Sequence, residues 1–228
     1  MSLSKNALDT CPPGVRGEFK TFHVDSFVQY VKQHARPGES AGFIGDEYTA
    51  TVIFDLGNTS SHTARLKLEQ TTPFVALHQV IDTNLTQQKL SEWLEDWAPH
   101  VSIYRDNDEI PLYQAIYDIY TVCHPRIETK GERESESGDP NAKRIFRFPE
   151  HVLFTCKPYD ALEEVTFRLR LSVVIKDERI LRLNWVDARR QKEMMIDNFR
   201  TLLTARLKGT VPLIIGNFSH EQPDSDLF

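Results

Sequence analysis

Cysteine is scarce in this chain: Cys11, Cys123 and Cys156 are the three among 228 residues, odd in number and far apart. Such a set builds no disulfide framework, so a reducing compartment, the cytosol, is expected. Long apolar runs are missing as well. No stretch approaches the roughly 18 residues of a membrane helix, and the opening MSLSKNALDT lacks the apolar core of a secretory signal. Neither membrane insertion nor export is therefore expected. The phosphate-cradling patterns GxxxxGK[ST] and GxGxxG do not occur, which excludes the familiar nucleotide-hydrolysing folds and gives no cofactor assignment. There is no CxxC, HxxxH or HxH pair, so no metal ligands are assigned. Cys123 and His124 are neighbours at a helix end, where adjacent side chains diverge. No GxSxG elbow is present, and no catalytic residue is assigned. Cys123 falls on an apolar stripe and reads as a small buried hydrophobe. Internal repeats are also absent.

What is present is ordinary globular chemistry. Hydrophobic residues make up 40% and charged residues 26%, enough for the core of one mixed domain. A net charge of −6 argues against a surface devoted to phosphate, while leaving room for a local basic patch.

The strongest pattern runs from Thr166 to Val186. Phe167, Leu169, Leu171, Val173 and Ile175 alternate with Arg168, Arg170, Ser172 and Val174. After the polar KDER, Leu181, Leu183 and Trp185 alternate with Arg182 and Asn184. Period two with a short polar break predicts a hairpin that is apolar on one face and arginine-rich on the other. A second hairpin is predicted from Tyr48–Leu56 and His62–Gln70, with Ala64, Leu66 and Leu68 inward and Thr63, Arg65 and Lys67 outward. Further strands are expected over Val15–Phe22, Lys143–Phe148, Val152–Lys157 and Val211–Ile215.

Helices are predicted between these hairpins and at the end. One opens at Val24-Asp25-Ser26, with Asp25 accepting first-turn amide protons and Phe27, Val31, His34 and Ala35 on one face. Another is capped by Thr86, with Leu85 and Leu90 as a hydrophobic staple and an apolar stripe of Leu90, Trp93, Leu94 and Trp97. A third places Leu112, Ala115, Ile116, Ile119, Tyr120 and Cys123 on its apolar side. The last spans about 188–207, packs through Ile196, Phe199, Leu203 and Leu207, and stops at Gly209. The expected organisation is a flexible arm over 1–16, one α+β domain over 17–217 with a mobile loop at 128–142, and a polar tail over 218–228.

Two acidic groups and one nuclease-like arrangement bear on catalysis. Glu92, Glu95 and Asp96 lie opposite the Trp93 stripe, a solvated face. Asp106, Asp108 and Glu109 precede a helix, where its dipole favours acids. A metal nuclease needs an acid on one strand and Glu-x-Lys on the next; Asp55 suits the first role. The next strand instead offers Arg65-Leu66-Lys67, and Glu128-Thr129-Lys130 falls in the loop. The outward cations remain: Arg65, Lys67, Arg147, Arg168, Arg170 and Arg182. Gathered in one sheet, they would make a basic face able to follow a phosphate backbone or to meet the acidic Glu92, Glu95 and Asp96 of a sister subunit.

The order of several motifs is familiar. They are Val24-Asp25-Ser26-Phe27 with Tyr30-Val31; Ala64 and Leu66; Thr71 to Phe74; and Thr86-Gln87 with Leu94-Glu95-Asp96. They continue with Phe146-Arg147-Phe148-Pro149-Glu150, Phe167-Arg168-Leu169-Arg170, and Phe199. In these the chain resembles the YfdQ-like family of phage and prophage proteins, a domain of unknown function, over about 17–216. Family members carry a longer N-terminal section and phenylalanines where Leu90 and Trp93 stand. The resemblance implies phage origin and action inside a bacterial host, in the cytoplasm, often beside recombination or replication genes. It supplies no catalytic residue.

The resulting expectation is a non-enzymatic accessory protein acting by self-assembly, as a homo-oligomer, or by binding a phage or host protein. Nucleic-acid binding through the arginines is the alternative, a metal-dependent nuclease using Asp55 a third, and counter-defence is compatible with the first two.

Overall fold

In the computed structural model of the chain, residues 17–57, 62–124, 148–175 and 179–217 are described, the side chain of Ile175 excepted. The chain opens with β1 (Glu18–Thr21), α1 (Val24–His34), β2 (Ala41–Ile44), β3 (Thr49–Ile53) and β4 (Thr63–Lys67). Then come α2 (Thr72–Val80), α3 (Gln87–Asp96), β5 (Val101–Arg105), β6 (Asp108–Ile110) and α4 (Leu112–Cys123). The remainder is β7 (His151–Cys156), β8 (Val165–Ile175), β9 (Arg179–Trp185), α5 (Ala188–Leu207) and β10 (Leu213–Ile215). This is an α+β chain, as expected. Its described residues form two compact units, 17–57, 62–70, 159–163 and 189–217 in the first and 71–124, 148–158, 164–175 and 179–188 in the second.

The first unit holds a five-stranded sheet in the order β1-β4-β3-β2-β10. Its three middle strands are antiparallel, while β1 joins β4 and β10 joins β2 in parallel. Strand alternation puts Ala50, Val52, Ala64 and Leu66 in the core and leaves Arg65 and Lys67 exposed. α1 buries Phe27 and Val31, and its Tyr30 stacks on Phe19 at 4.2 Å. Beside β10, a Cβ at Gly42 would lie 2.6 Å from the Leu213 side chain, which would have to turn aside for a larger residue.

Two helix expectations need correction here. His23, not Asp25, occupies the cap position of α1 and makes no side-chain bond. Asp25 lies in the first turn and pairs with Arg206 at 3.3 Å. In α5 the buried stripe is Met195, Phe199, Leu203 and Leu207, with Ile196 only half-buried. Repeating every four residues keeps these four side chains on one side of the helix. Gly209 follows with φ +77 and Lys208 with φ 51, the left-handed stop expected after the last turn.

The second unit holds the sheet β6-β5-β7-β8-β9, antiparallel throughout. The β8–β9 hairpin is the one read from the sequence, with Leu169 opposite Trp185 and Leu171 opposite Leu183. Phe167, Leu169, Leu181 and Leu183 are fully buried. The helices cover this inner face: Phe74 of α2 stacks on Phe167 at 5.3 Å and Trp93 of α3 on Phe154 at 5.3 Å. α3 begins as expected, with Thr86 accepting from the Lys89 amide at 3.2 Å and Leu85 and Leu90 both buried.

Asp106, Asp108 and Glu109 precede α4, as expected, but they lie in a hairpin and none is in the first turn of the helix. Asp106 and Asn107, with φ 51 and 72, turn a tight hairpin from β5 into β6, which contains Asp108 and Glu109. Tyr120 also departs from expectation: it is exposed, and the core side of α4 is Ala115, Asp118 and Ile119. The arm, the 128–142 loop, residues 143–147 and the polar tail lie outside the described residues.

Candidate functional site

The two sheets divide the predicted cations. Arg65 and Lys67 stand on the outer face of the first unit's sheet, Lys67 with its ammonium 6.0 Å from the Tyr48 ring. Arg168, Arg170 and Arg182 stand on the outer face of the second unit's sheet. Arg147 lies outside the described residues. The β3–β4 and β8–β9 hairpins belong to different sheets, so their cations do not share one sheet face.

On the second sheet the three arginines do come together. Arg168 and Arg170 are two residues apart on one strand, about 7 Å at strand rise. Arg182 crosses from Ser172 on the next strand. Register adds Tyr104 and His151, in line with Arg170 and Asn184 across four strands. Arg168 Nη2 lies 3.2 Å from His151 Nε2. A guanidinium only donates, so Nε2 accepts and the ring proton sits on Nδ1. Arg182 Nε donates to Asn84 Oδ1 at 2.7 Å, and Asn184 Nδ2 to Ser172 Oγ at 3.1 Å. Arg170 has no hydrogen-bond partner among the described residues. The half-buried Leu153, Val174 and Ile180 supply apolar surface between the polar side chains.

Charge balance separates these arginines from four others, although Arg65, Arg179, Arg190 and Arg200 also hold no carboxylate among the described residues. Arg36, Arg105, Arg189 and Arg206 each hold a carboxylate within 4.0 Å. Among the described residues Arg168, Arg170 and Arg182 hold none, although all three are exposed.

The predicted acidic counter-face is on α3. Glu92, Glu95 and Asp96 are all exposed, opposite the buried Leu90, Trp93 and Leu94. Glu92 accepts from Gln88 Nε2 at 2.8 Å, and none of the three acids is in an ion pair among the described residues. Beside α3, α4 carries a feature that the sequence reading missed. Tyr113, Tyr117 and Tyr120 line its solvent side, exposed by 74%, 63% and 50%, and His124 stacks on Tyr120 at 4.4 Å. Their i, i+4, i+7 spacing was the available signal. Placing Tyr120 on the apolar stripe concealed it.

Other candidates are chemically quieter. Burial, then Glu164, pushes the Cys156 thiol up to about 12. Burial also raises Cys123, with Arg179 opposing, so both thiols keep their protons at neutral pH. Asp55 follows β3, and no group of three or more His, Cys, Asp or Glu among the described residues is placed to hold a metal ion. An open groove between α1 and α5 carries Lys32, Arg206 and Lys208, and Asp25 already engages Arg206. No helix among the described residues is long and apolar enough to cross a membrane.

No curated protein and no solved structure matches the chain. A family model does match, over residues 6–218, nearly the span on which the ordered motifs were read. On that coverage the chain belongs to the family described as uncharacterized conserved protein DUF2303.

Proposed function

We propose that the chain is a non-catalytic accessory protein of phage or prophage origin that works by binding inside the bacterial host. Its working surface is the outer arginine face of the second sheet. One observation carries this reading: Arg168, Arg170 and Arg182 share an open face without an acid partner among the described residues, in a chain whose net charge is −6. Three like charges gathered on a strand pair repel one another, a small local cost that an anionic partner reverses. Phage origin is supported by the YfdQ-like order of motifs from Val24-Asp25-Ser26-Phe27 to Phe199, and a transcript that rises on prophage induction is the expected outcome.

Nucleic acid is the second reading for the same face. The observation that favours it is the row in which Tyr104 and His151 lie in register with Arg170, rings beside a cation.

Fluorescence anisotropy with labelled polyglutamate and a labelled single-stranded oligonucleotide, across a salt series, tests both. Polyglutamate binding that weakens with salt and disappears in Arg168→Glu/Arg170→Glu/Arg182→Glu is the expected result, with Arg65→Glu/Lys67→Glu behaving as wild type. Preference for the oligonucleotide selects the second reading. Indifference to both probes at low salt overturns the use of this face.

A further inference from the structure

The two open sides of the second unit carry opposite charge and face in opposite directions. α2 and α3 pack on the inner sheet face through Phe74 and Trp93, and α4 is joined to β5 by the Arg105–Asp118 pair. Glu92, Glu95 and Asp96 lie opposite the buried side of α3, and Tyr113, Tyr117 and Tyr120 opposite the buried side of α4. Both sets therefore point away from the sheet. The arginines stand on the other side of that sheet. A helix with its side chains is about 10 Å thick, so no carboxylate of α3 can reach an arginine of the same copy.

Among the described residues neither set has an ion-pair partner. Glu95 and Asp96 sit in the last turn of α3, which has no basic residue, and the negative end of a helix dipole disfavours carboxylates there. A cation from outside relieves that. The tyrosines beside them are receptive to the same chemistry, since guanidinium groups stack on aromatic faces. Across the sheet, Arg168, Arg170 and Arg182 are exposed next to half-buried Leu153, Val174 and Ile180, a mixture that suits a tyrosine-lined surface.

We propose that the chain associates with itself head to tail, the arginine face of one copy resting on the α3 carboxylates and α4 tyrosines of the next. This rests on the arginine-face reading above and names its partner as a second copy. A two-fold symmetric dimer would set arginines against arginines or carboxylates against carboxylates. The complementary contact is therefore heterologous, and it builds a ring or a filament according to whether its rotation closes.

Sedimentation velocity over the micromolar range, at low and high salt, tests this with two charge-reversed variants. One is Arg168→Glu/Arg170→Glu/Arg182→Glu and the other Glu92→Lys/Glu95→Lys/Asp96→Lys. Wild type is expected to sediment faster than a monomer and to slow as salt rises. Each variant alone meets like charge and stays monomeric. Their equimolar mixture presents opposite charge at every junction and returns to the wild-type sedimentation coefficient. Circular dichroism melts establish that both variants are folded; if the first is not, Arg→Gln replacements serve in the single-variant arm alone, where they are expected to weaken assembly. A monomeric wild type, a variant that assembles alone, or a folded mixture that stays monomeric overturns the proposal. A monomeric wild type that still binds polyglutamate leaves the arginine-face reading standing, whereas loss of both removes both.

Discussion

Arg105 and Asp118 form the most buried ion pair among the described residues, and its two halves are not equivalent. Arg105 Nη1 lies 2.5 Å from Asp118 Oδ2, with side chains 19% and 8% exposed. Gln114 Nε2 gives the other carboxylate oxygen a second donor at 2.8 Å. Arg105→Met leaves Asp118 buried with that amide alone. Breaking such a pair from one side costs about 3–5 kcal/mol. The surviving Gln114 bond and the partial exposure of Arg105 place this case at the lower end, ~3 kcal/mol. Asp118→Leu is milder, ~2 kcal/mol, because the freed guanidinium extends along its stem to water. Replacing both residues removes both unpaired charges and should cost ~2 kcal/mol in place of the ~5 kcal/mol of the two singles added, a coupling of ~3 kcal/mol.

The assay is urea unfolding followed by tryptophan fluorescence. Trp93, Trp97 and Trp185 are the only tryptophans of the chain, and all three lie in the second unit with this pair. In thermal melts, ~3 kcal/mol corresponds to a fall of about 6–12 °C for a chain of this size. A loss below ~1 kcal/mol for Arg105→Met, or a double variant as unstable as the two singles added, would refute the reasoning.

Three further outcomes follow from the second unit. Thr86→Ala removes the side-chain acceptor for the Lys89 amide and should cost about 0.5–2 kcal/mol by urea titration. Phe167→Ala empties a fully buried site between Phe74 at 5.3 Å and Trp185 at 5.2 Å; a loss of about 3–5 kcal/mol is expected, and under ~2 kcal/mol would mean that the hairpin core collapses to fill it. Cys156, raised from 9.0 to about 12 by burial and Glu164, keeps its proton in the folded chain where the unfolded chain has lost it. Its contribution to stability is therefore complete below about pH 9 and lost as pH rises through about 12. Cys156→Ala should flatten that alkaline decline, and thiol labelling at pH 8 should reach Cys156 only after unfolding.

The legible parts of the fold were those whose signals are local. Phe167 to Trp185 alternates for long enough to fix both the strands and the buried face, and Thr86 with Leu90 marks a helix start within five residues. Pairing between distant strands has no such signature. Nothing in Glu18–Thr21 or Leu213–Ile215 announces that these strands join β4 and β2 in parallel, so the division into two sheets, and with it the splitting of Arg65 and Lys67 from Arg168 and Arg170, was invisible. The β5–β6 hairpin was missed for a different reason. Asp106 and Asn107 adopt the left-handed turn more often served by Asn-Gly, and their acidic neighbours resembled a helix start. Met195 and Ile196, and likewise Ile119 and Tyr120, differ by one position on a helix. A 100° error there exchanges core for surface. For the candidate site, the arginines were legible from strand phase, whereas the tyrosine row was concealed by that same kind of error.

Magnitudes decide which of the two chemistries holds the proposed head-to-tail contact together. Exposed ion pairs contribute about 0.2–1 kcal/mol each, so three of them supply ~2 kcal/mol, far short of the ~8 kcal/mol of a micromolar complex. Tyr113, Tyr117 and Tyr120, exposed by 74%, 63% and 50%, together offer roughly 400 Å². At about 25 cal/mol per Å² that is ~10 kcal/mol before the cost of association is subtracted. The arginines then fix register and exclude the symmetric dimer, while the tyrosines carry the affinity. Neutralising Arg168, Arg170 and Arg182 to Gln should accordingly weaken assembly by about 30-fold, and high salt should imitate it. Tyr113→Ser/Tyr117→Ser/Tyr120→Ser should abolish assembly at any salt in sedimentation equilibrium. If the tyrosine variant assembles as wild type while the glutamine variant does not, the contact is electrostatic alone, and α4 has no part in it.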